Sequence, residues 1–344
     1  MPLVADTELE MYQRITKLFP RHTSQLNKVN QADSELVRLP GAAGVMAITT
    51  DMICEEIEYG IYDDPYMMGW MTIAINISDL CAVGAKPLYI MLHEIFLHDS
   101  TEYFINRVQQ GIADACRAFN VFVLGGDTNF SNKITLGATA IGFIQNEKMP
   151  LSRMGCKDGD ILFSSGPLGL GNFLGFCKLN KIDFDFKPLP KIRYSEIISK
   201  YASACIDTSD GMFNALHILT TLNNVGAALD QSLYEVIPKQ ISLTCERMGV
   251  SPITLLAGIL GEYELLFTIP KHNLNAFMDE VKSVNLTAHK LGLITIETTV
   301  SYQTNSGMQN IDTHRIANLF SESKGNFFTY INSLKEIFKL SDHE

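Results

Sequence analysis

Apolar residues recur along this chain in two rhythms, and the switches between them mark out its elements. Met11, Ile15 and Leu18 follow helical spacing behind an acidic first turn, which predicts a short amphipathic helix over 7–19. After a polar stretch to about residue 35, Val45–Thr50 reads as a strand and 69–83 as an almost wholly apolar helix. Leu88–Ile95 reads as another strand. Phe104, Val108, Ile112, Ala115 and Phe119 then place a helix over 102–119, with Ser100 or Thr101 as its N-cap. Strands at Val121–Leu124 and Ile134–Ile144 are expected to flank a turn at Asp127–Lys133. The polar stretch Gln145–Pro150 is the expected boundary between a unit at 1–148 and a second at 149–344. The second unit reads as a strand at Ile161–Ser164, a Gly/Pro loop at 166–171, a helix, and a Lys/Pro-rich connector near 181–193. A strand at Ala202–Ile206, a helix from Met212 to Leu222 and a strand at Tyr263–Ile269 follow. Helices and strands mix without strict alternation, so the expected class is α+β. From about residue 300 the chain is polar and its pattern predicts little.

Composition narrows the function classes. The 344 residues suit roughly two domains of about 150 each. An apolar content of 46% supplies a core and excludes a mostly disordered chain. With 27 Lys and Arg against 38 Asp and Glu, the net charge of −11 opposes binding to nucleic acid or to a membrane surface. The seven cysteines form no CxxC pair and read as small buried hydrophobes in a reducing compartment. No secretory h-region and no run of 18 apolar residues is visible, so a cytoplasmic location is expected.

The chemistry lies in the placing of carboxylates. Asp51, Asp127 and Asp207 each follow an apolar strand pattern, where desolvation is costly unless something compensates. Each alone is equally a turn or cap residue. Thr72, Asn76 and Asp79 are spaced by four and three, one polar stripe on the apolar 69–83 helix. Such a stripe serves either an internal hydrogen-bond network or a cation. Asp210 reads as an N-cap before the helix at Met212, as a site residue, or as both. Five carboxylates from separated segments would cage hard cations through oxygen alone, which suits Mg²⁺ held together with substrate phosphates. Phosphoryl transfer from a nucleotide is the chemistry this fits. The loop Ser165–Gly171 is Gly-rich but is no Walker A motif, and taken alone it reads as a tight turn. Arg153 is a phosphate clamp or a surface arginine.

Six segments resemble a known family in residue and order: TTDM (49–52), NISDLCAVGAKP (76–87), LGGDTNFS (124–131), SRMGCKDGDILFSSGPLG (152–169), DTSDGM (207–212) and GEYELLFT (261–268). Together they resemble the thiamine-monophosphate kinases, within the superfamily of aminoimidazole ribonucleotide synthetases, selenophosphate synthetases and hydrogenase maturation dehydratases, over residues 30–270. The resemblance implies a PurM-like α+β fold. Its N-terminal α/β domain would form a barrel across a homodimer, and ATP with Mg²⁺ would lie in the cleft to a C-terminal α/β domain. It implies metal-binding roles for Asp33, Thr49, Thr50, Asp51, Asp79, Asp127, Asp207 and Asp210. Gly126, Asp127, Arg153 and Ser209 would contact ATP, with Asp127, Asp207 and Asp210 counted as catalytic. The implied reaction passes the γ-phosphate of ATP to the phosphate of a small-molecule acceptor. A related synthetase acting on another acceptor, or a nucleotide-binding paralogue without turnover, remains the alternative.

Three departures from the family pattern fall on this chain. Ser34 stands where the family has the second aspartate of a pair, beside Asp33. Glu58 takes the place of the family's substrate-contacting histidine and would bring negative charge toward a phosphorylated acceptor. The acidic substrate-binding position falls on Gly261 or, one residue along, on Glu262.

Overall fold

A computed structural model describes residues 14–41, 43–145, 149–304, 307–323 and 326–338. The predicted 7–19 helix therefore falls largely outside the described residues, although 14–16 are helical. The strands are β1 (Glu35–Val37), β2 (Gly44–Ile53), β3 (Lys86–Leu97), β4 (Phe122–Ser131), β5 (Thr135–Gln145), β6 (Ile161–Ser164), β7 (Ala204–Asp207), β8 (Gly226–Leu229), β9 (Leu265–Ile269), β10 (His289–Thr295), β11 (Val300–Thr304) and β12 (Gly307–Ile311). They form two mixed sheets, one ordered β1-β2-β5-β3-β4 and the other β12-β11-β8-β10-β6-β9-β7. In the first, β3 and β4 run parallel and the remaining pairs antiparallel.

The helix Pro65–Ala82 organises the molecule. Asp64 caps it by accepting from the Tyr66 amide at 3.1 Å, and Pro65 opens its first turn. It packs on β2 and β5 and against the helix Glu102–Phe119, which is capped by Thr101 through the Phe104 amide at 3.2 Å. The two helices approach backbone to backbone at two glycines. A Cβ on Gly69 would lie 2.0 Å from the Val108 carbonyl oxygen, and one on Gly111 would lie 2.0 Å from that of Tyr66. The other end of the long helix meets the second sheet at β7. Leu151 donates its amide to the Val83 carbonyl, Ser195 its hydroxyl to that of Cys81, and Trp70 its indole N–H to that of Pro188, at 3.1, 2.6 and 3.0 Å. One buried helix thus joins both sheets.

One expectation changes here. The predicted turn at Asp127–Lys133 is mostly strand, because β4 continues to Ser131 in parallel register with β3, His93 opposite Asp127. Pairing along the whole of β3 overrides the turn preference of Gly125, Gly126, Asp127 and Asn129. Asp127 accordingly lies within a strand and not at its end. Beyond residue 300, where the pattern predicts little, β11, β12 and the helices Thr313–Glu322 and Phe327–Ile337 bury Ile316, Leu319, Tyr330 and Leu334 among the described residues. All seven cysteines are free, and six of them are buried. Among the described residues no helix is long and apolar enough to cross a membrane.

Candidate active site

Three of the expected carboxylates converge although they are distant in sequence. Asp33 precedes β1, Asp79 lies in the last turns of the helix Pro65–Ala82, and Asp207 ends β7. A carboxylate oxygen from each lies within 4.8 Å of the other two. The polar stripe on the helix explains how Asp79 is placed. Asn76 accepts the Asp51 amide at 2.9 Å and donates back to the Asp51 carbonyl at 3.2 Å, fixing the helix to β2. Thr72 bonds back to Met68 within the helix. One turn on, Asp79 accepts the Thr49 hydroxyl. The stripe is therefore both a hydrogen-bond network and the support of a charged group.

Three acids this close repel. Burial raises the Asp79 carboxyl well above the ordinary range, and Asp207, Asp33 and Asp51 push it further. Asp207 is raised by burial and by Asp33, while the Ser78 hydroxyl at 2.6 Å and the Ser209 hydroxyl at 2.7 Å oppose the rise. Positive charge also reaches the cluster. Arg153, whose side chain is 17% exposed, donates to Asp33 Oδ1 at 3.0 Å and to Asn30 Oδ1. The other Asp33 oxygen is buried with no hydrogen-bond partner among the described residues. An orphaned carboxylate oxygen beside two more carboxylates is the donor set a hard divalent cation takes. The residues therefore fit Mg²⁺.

The remaining candidates are spread around this centre. Asp51 acts on Asp79 electrostatically from β2. Thr50 is exposed and donates to the Ala138 carbonyl at 3.1 Å. Asp210 is exposed and its carbonyl accepts the Asn214 side chain at 2.7 Å. Gly211, not Asp210, holds the cap position of the next helix. Gly126 and Asp127 are exposed on the edge strand β4. Gly126 lies opposite Leu92, which lies opposite Ala138, which lies opposite Asp51. Three strand spacings, about 14 Å, therefore separate Asp127 from the β2 side. Asp127 accepts from Asn129 at 2.7 Å and stands outside the three-acid cluster.

On the expected acceptor side, Glu58 is exposed and paired with Lys133 at 3.0 Å, which offsets its charge. Neighbouring Tyr59 stacks on Phe327 and meets Phe320 edge-on. Glu262 is 3% exposed, and its carboxylate takes the Gly169 amide at 2.8 Å and the Thr208 hydroxyl at 3.0 Å. Burial pushes it up to about 8. Gly261 has no room for a side chain: a Cβ there would lie 1.7 Å from the Thr208 carbonyl oxygen. Glu264 binds Lys191 at 2.6 Å and the Ser165 hydroxyl at 2.6 Å. Two buried glutamates thus anchor the Gly-rich loop to the segment behind Asp207. Sequence reading missed Ser78, Asn30 and Lys191. Ser78 lies one residue from Asp79 on the same helix, whereas nothing in the sequence pairs residue 30 with 153 or 191 with 264.

Comparison with known proteins places the chain among relatives. Residues 31–144 match the family model described as AIR synthase related protein, N-terminal domain. A thiamine-monophosphate kinase of Archaeoglobus fulgidus is 30% identical over 270 residues, covering 76% of this chain and 85% of the relative. One of Aquifex aeolicus is 28% identical over 247 residues, covering 68% and 79%. In fold, the chain is similar to AaThiL complexed with AMPPCP and TMP, with a TM-score of 0.73 at 23% identity over 91% of this chain and 99% of that one. It is similar also to hydrogenase maturation protein HypE in complex with ATP, with a TM-score of 0.67 at 17% identity over 89% and 96%. Extended similarity to curated relatives and a shared PurM-like fold lead to one conclusion: this chain belongs to the thiamine-monophosphate kinase family.

Proposed function

We propose that the protein transfers the γ-phosphate of ATP to thiamine monophosphate, giving ADP and thiamine diphosphate, with Mg²⁺ as cofactor. The observation that carries this reading is the half-buried to buried Asp33–Asp79–Asp207 cluster with its orphaned oxygen, in a chain of this family. Bound Mg²⁺ would neutralise charge on the transferring phosphoryl group. Asp33, Asp79 and Asp207 would hold it, with Asp51, Asp210 and Asp127 reaching the polyphosphate from the rim and Thr49 and Thr50 flanking Asp51. Arg153 aims the Asp33 carboxylate through their ion pair, and the Ser78 and Ser209 hydroxyls aim that of Asp207. Ser209, Arg153 and Gly126 are the proposed ATP contacts. The acceptor phosphate attacks in line and no covalent enzyme intermediate is needed.

The cleft is proposed to lie between units 1–148 and 149–344. A homodimer is proposed as well, and it is supported by the exposure of the whole of β4, including Phe122, Leu124 and Phe130, as expected of an edge covered by a second copy. Glu58 and Glu262 are proposed at the acceptor side, Glu58 with its charge offset by Lys133 and Glu262 by shaping the Gly-rich loop. A cytoplasmic location is in keeping with free buried thiols.

The test incubates the protein with ATP, Mg²⁺ and thiamine monophosphate and follows ADP and thiamine diphosphate. Both products should appear in equal amounts and disappear when EDTA is added. Mg²⁺-dependent nucleotide binding with no product at high enzyme concentration would leave the nucleotide site standing and refute the acceptor.

A further inference from the structure

Behind the candidate site, the C-terminal helix Phe327–Ile337 closes a cavity of about 30 Å³. Its walls are mostly apolar, including Leu255, Leu260, Phe327 and Leu334. Two hydroxyl-bearing side chains also line it, Thr254 and Tyr330, and among the described residues neither hydroxyl meets a hydrogen-bond partner. Thr254 is 8% exposed and Tyr330 only 1%. Buried hydroxyls are satisfied almost without exception, so two orphans on one cavity need a common explanation. A water requires about 10–15 Å³ and two to four polar partners. The cavity has the room, and the two hydroxyls supply partners.

The wall of this cavity reaches the carboxylate centre. Gly258, Ile259 and Leu260 line it, and the same segment presses on the Asp207–Gly211 loop. The Gly261 amide donates to the Ser209 carbonyl at 2.9 Å. A Cβ on Gly211 would lie 2.1 Å from the Gly258 carbonyl oxygen. These contacts are backbone to backbone, with no side chain between to absorb a shift. Tyr330 is also near enough to Asp210 to sense its charge.

We propose that the cavity holds an ordered water bonded to Thr254 Oγ1 and Tyr330 Oη, and that Tyr330 is thereby a positioning residue for the Asp207–Gly211 loop. The inference rests on the reading of that loop as part of a Mg²⁺–nucleotide site. It assigns the C-terminal helix a task in nucleotide binding: by holding the water it sets the 258–261 segment against the loop.

Tyr330→Phe and Thr254→Val remove one hydroxyl each at nearly constant volume. Each is expected to weaken binding of the Mg²⁺ complex of AMPPCP three- to tenfold by calorimetry. In turnover, each should raise the KM for ATP and leave the KM for the acceptor and kcat near wild type. The double variant should be no worse than the worse single one, because both lose the same water. A merely structural role would lower the active fraction, and with it kcat alone, leaving nucleotide affinity unchanged in the folded protein; that result overturns the proposal. Should Tyr330→Phe fail to fold, Thr254→Val carries the same comparison. A crystal structure of the wild type, at a resolution that shows waters, should place one between the two hydroxyls, and a dry cavity overturns the proposal. That readout does not depend on the kinase reading, whose own failure would appear as wild-type protein that binds no Mg²⁺–nucleotide.

Discussion

Replacing Asp79 by asparagine should make the metal-free protein more stable and the Mg²⁺-containing protein less stable than wild type. Asparagine keeps the shape of the side chain and an acceptor for the Thr49 hydroxyl, so it removes little besides charge. Asp79 faces two other carboxylates within 4.8 Å, and at an effective dielectric of 20 each such pair of full charges repels by about 3.5 kcal/mol. Burial and the neighbouring acids push the Asp79 carboxyl toward its neutral form, which relieves part of this. Measured replacements of buried ionic groups by neutral ones yield about 1–4 kcal/mol, and we take about 2 kcal/mol as the observable gain. With an unfolding entropy of about 2.1 cal/mol/K per residue, a chain of this size moves its Tm by about 3 °C for that gain. Mg²⁺ at a hundred times its Kd would add about 2.7 kcal/mol, or about 4 °C, to wild type. The variant, having lost a ligand, should gain almost none of it. The assay is thermal denaturation of both proteins in EDTA and in Mg²⁺, and the expected result is a reversal in their order. An Asp79→Asn protein that is less stable than wild type in EDTA, or that gains as much from Mg²⁺, would refute the electrostatic account of the cluster.

Other consequences follow from the same packing. Burial raises the folded Glu262 carboxyl from 4.5 to about 8, so between these values the folded state holds a proton that the unfolded state has lost. Stability should therefore fall as pH rises from about 5 to 8, and Glu262→Gln should flatten that slope in urea titrations at a series of pH values; an unchanged slope would count against it. Lys191→Met leaves the buried Glu264 without its cation and should cost about 3–5 kcal/mol in urea unfolding, whereas Lys191→Met with Glu264→Leu should restore most of the loss. Gly261→Ala drives a methyl into the Thr208 and Ser209 carbonyls, and should abolish Mg²⁺–nucleotide binding in calorimetry while far-UV circular dichroism stays near wild type. Glu58→Ala breaks an exposed pair with Lys133 and should change stability by under about 1 kcal/mol, with any activity effect confined to the KM for the acceptor.

The helices Pro65–Ala82 and Glu102–Phe119 were legible because apolar spacing and capping residues are local properties, and Thr101 caps the second as its sequence predicts. The carboxylates stood out for a related reason: an acid set in apolar surroundings is costly enough to be noticed from sequence alone. Which acids meet is not a local property. Asp33, Asp79 and Asp207 are joined only because one buried helix touches β2 at one point and β7 at another. Asp127 carries the same sequence signal and lies three strands away, since sheet order is set by pairing across the chain and not by spacing along it. The extent of β4 and the burial of the C-terminal helices depended likewise on partners distant in sequence. Sequence by itself determined the elements and the kind of chemistry, because propensity and desolvation cost belong to single residues and their neighbours. Tertiary structure alone decided which charges share a cation, because electrostatic coupling depends on distance in space.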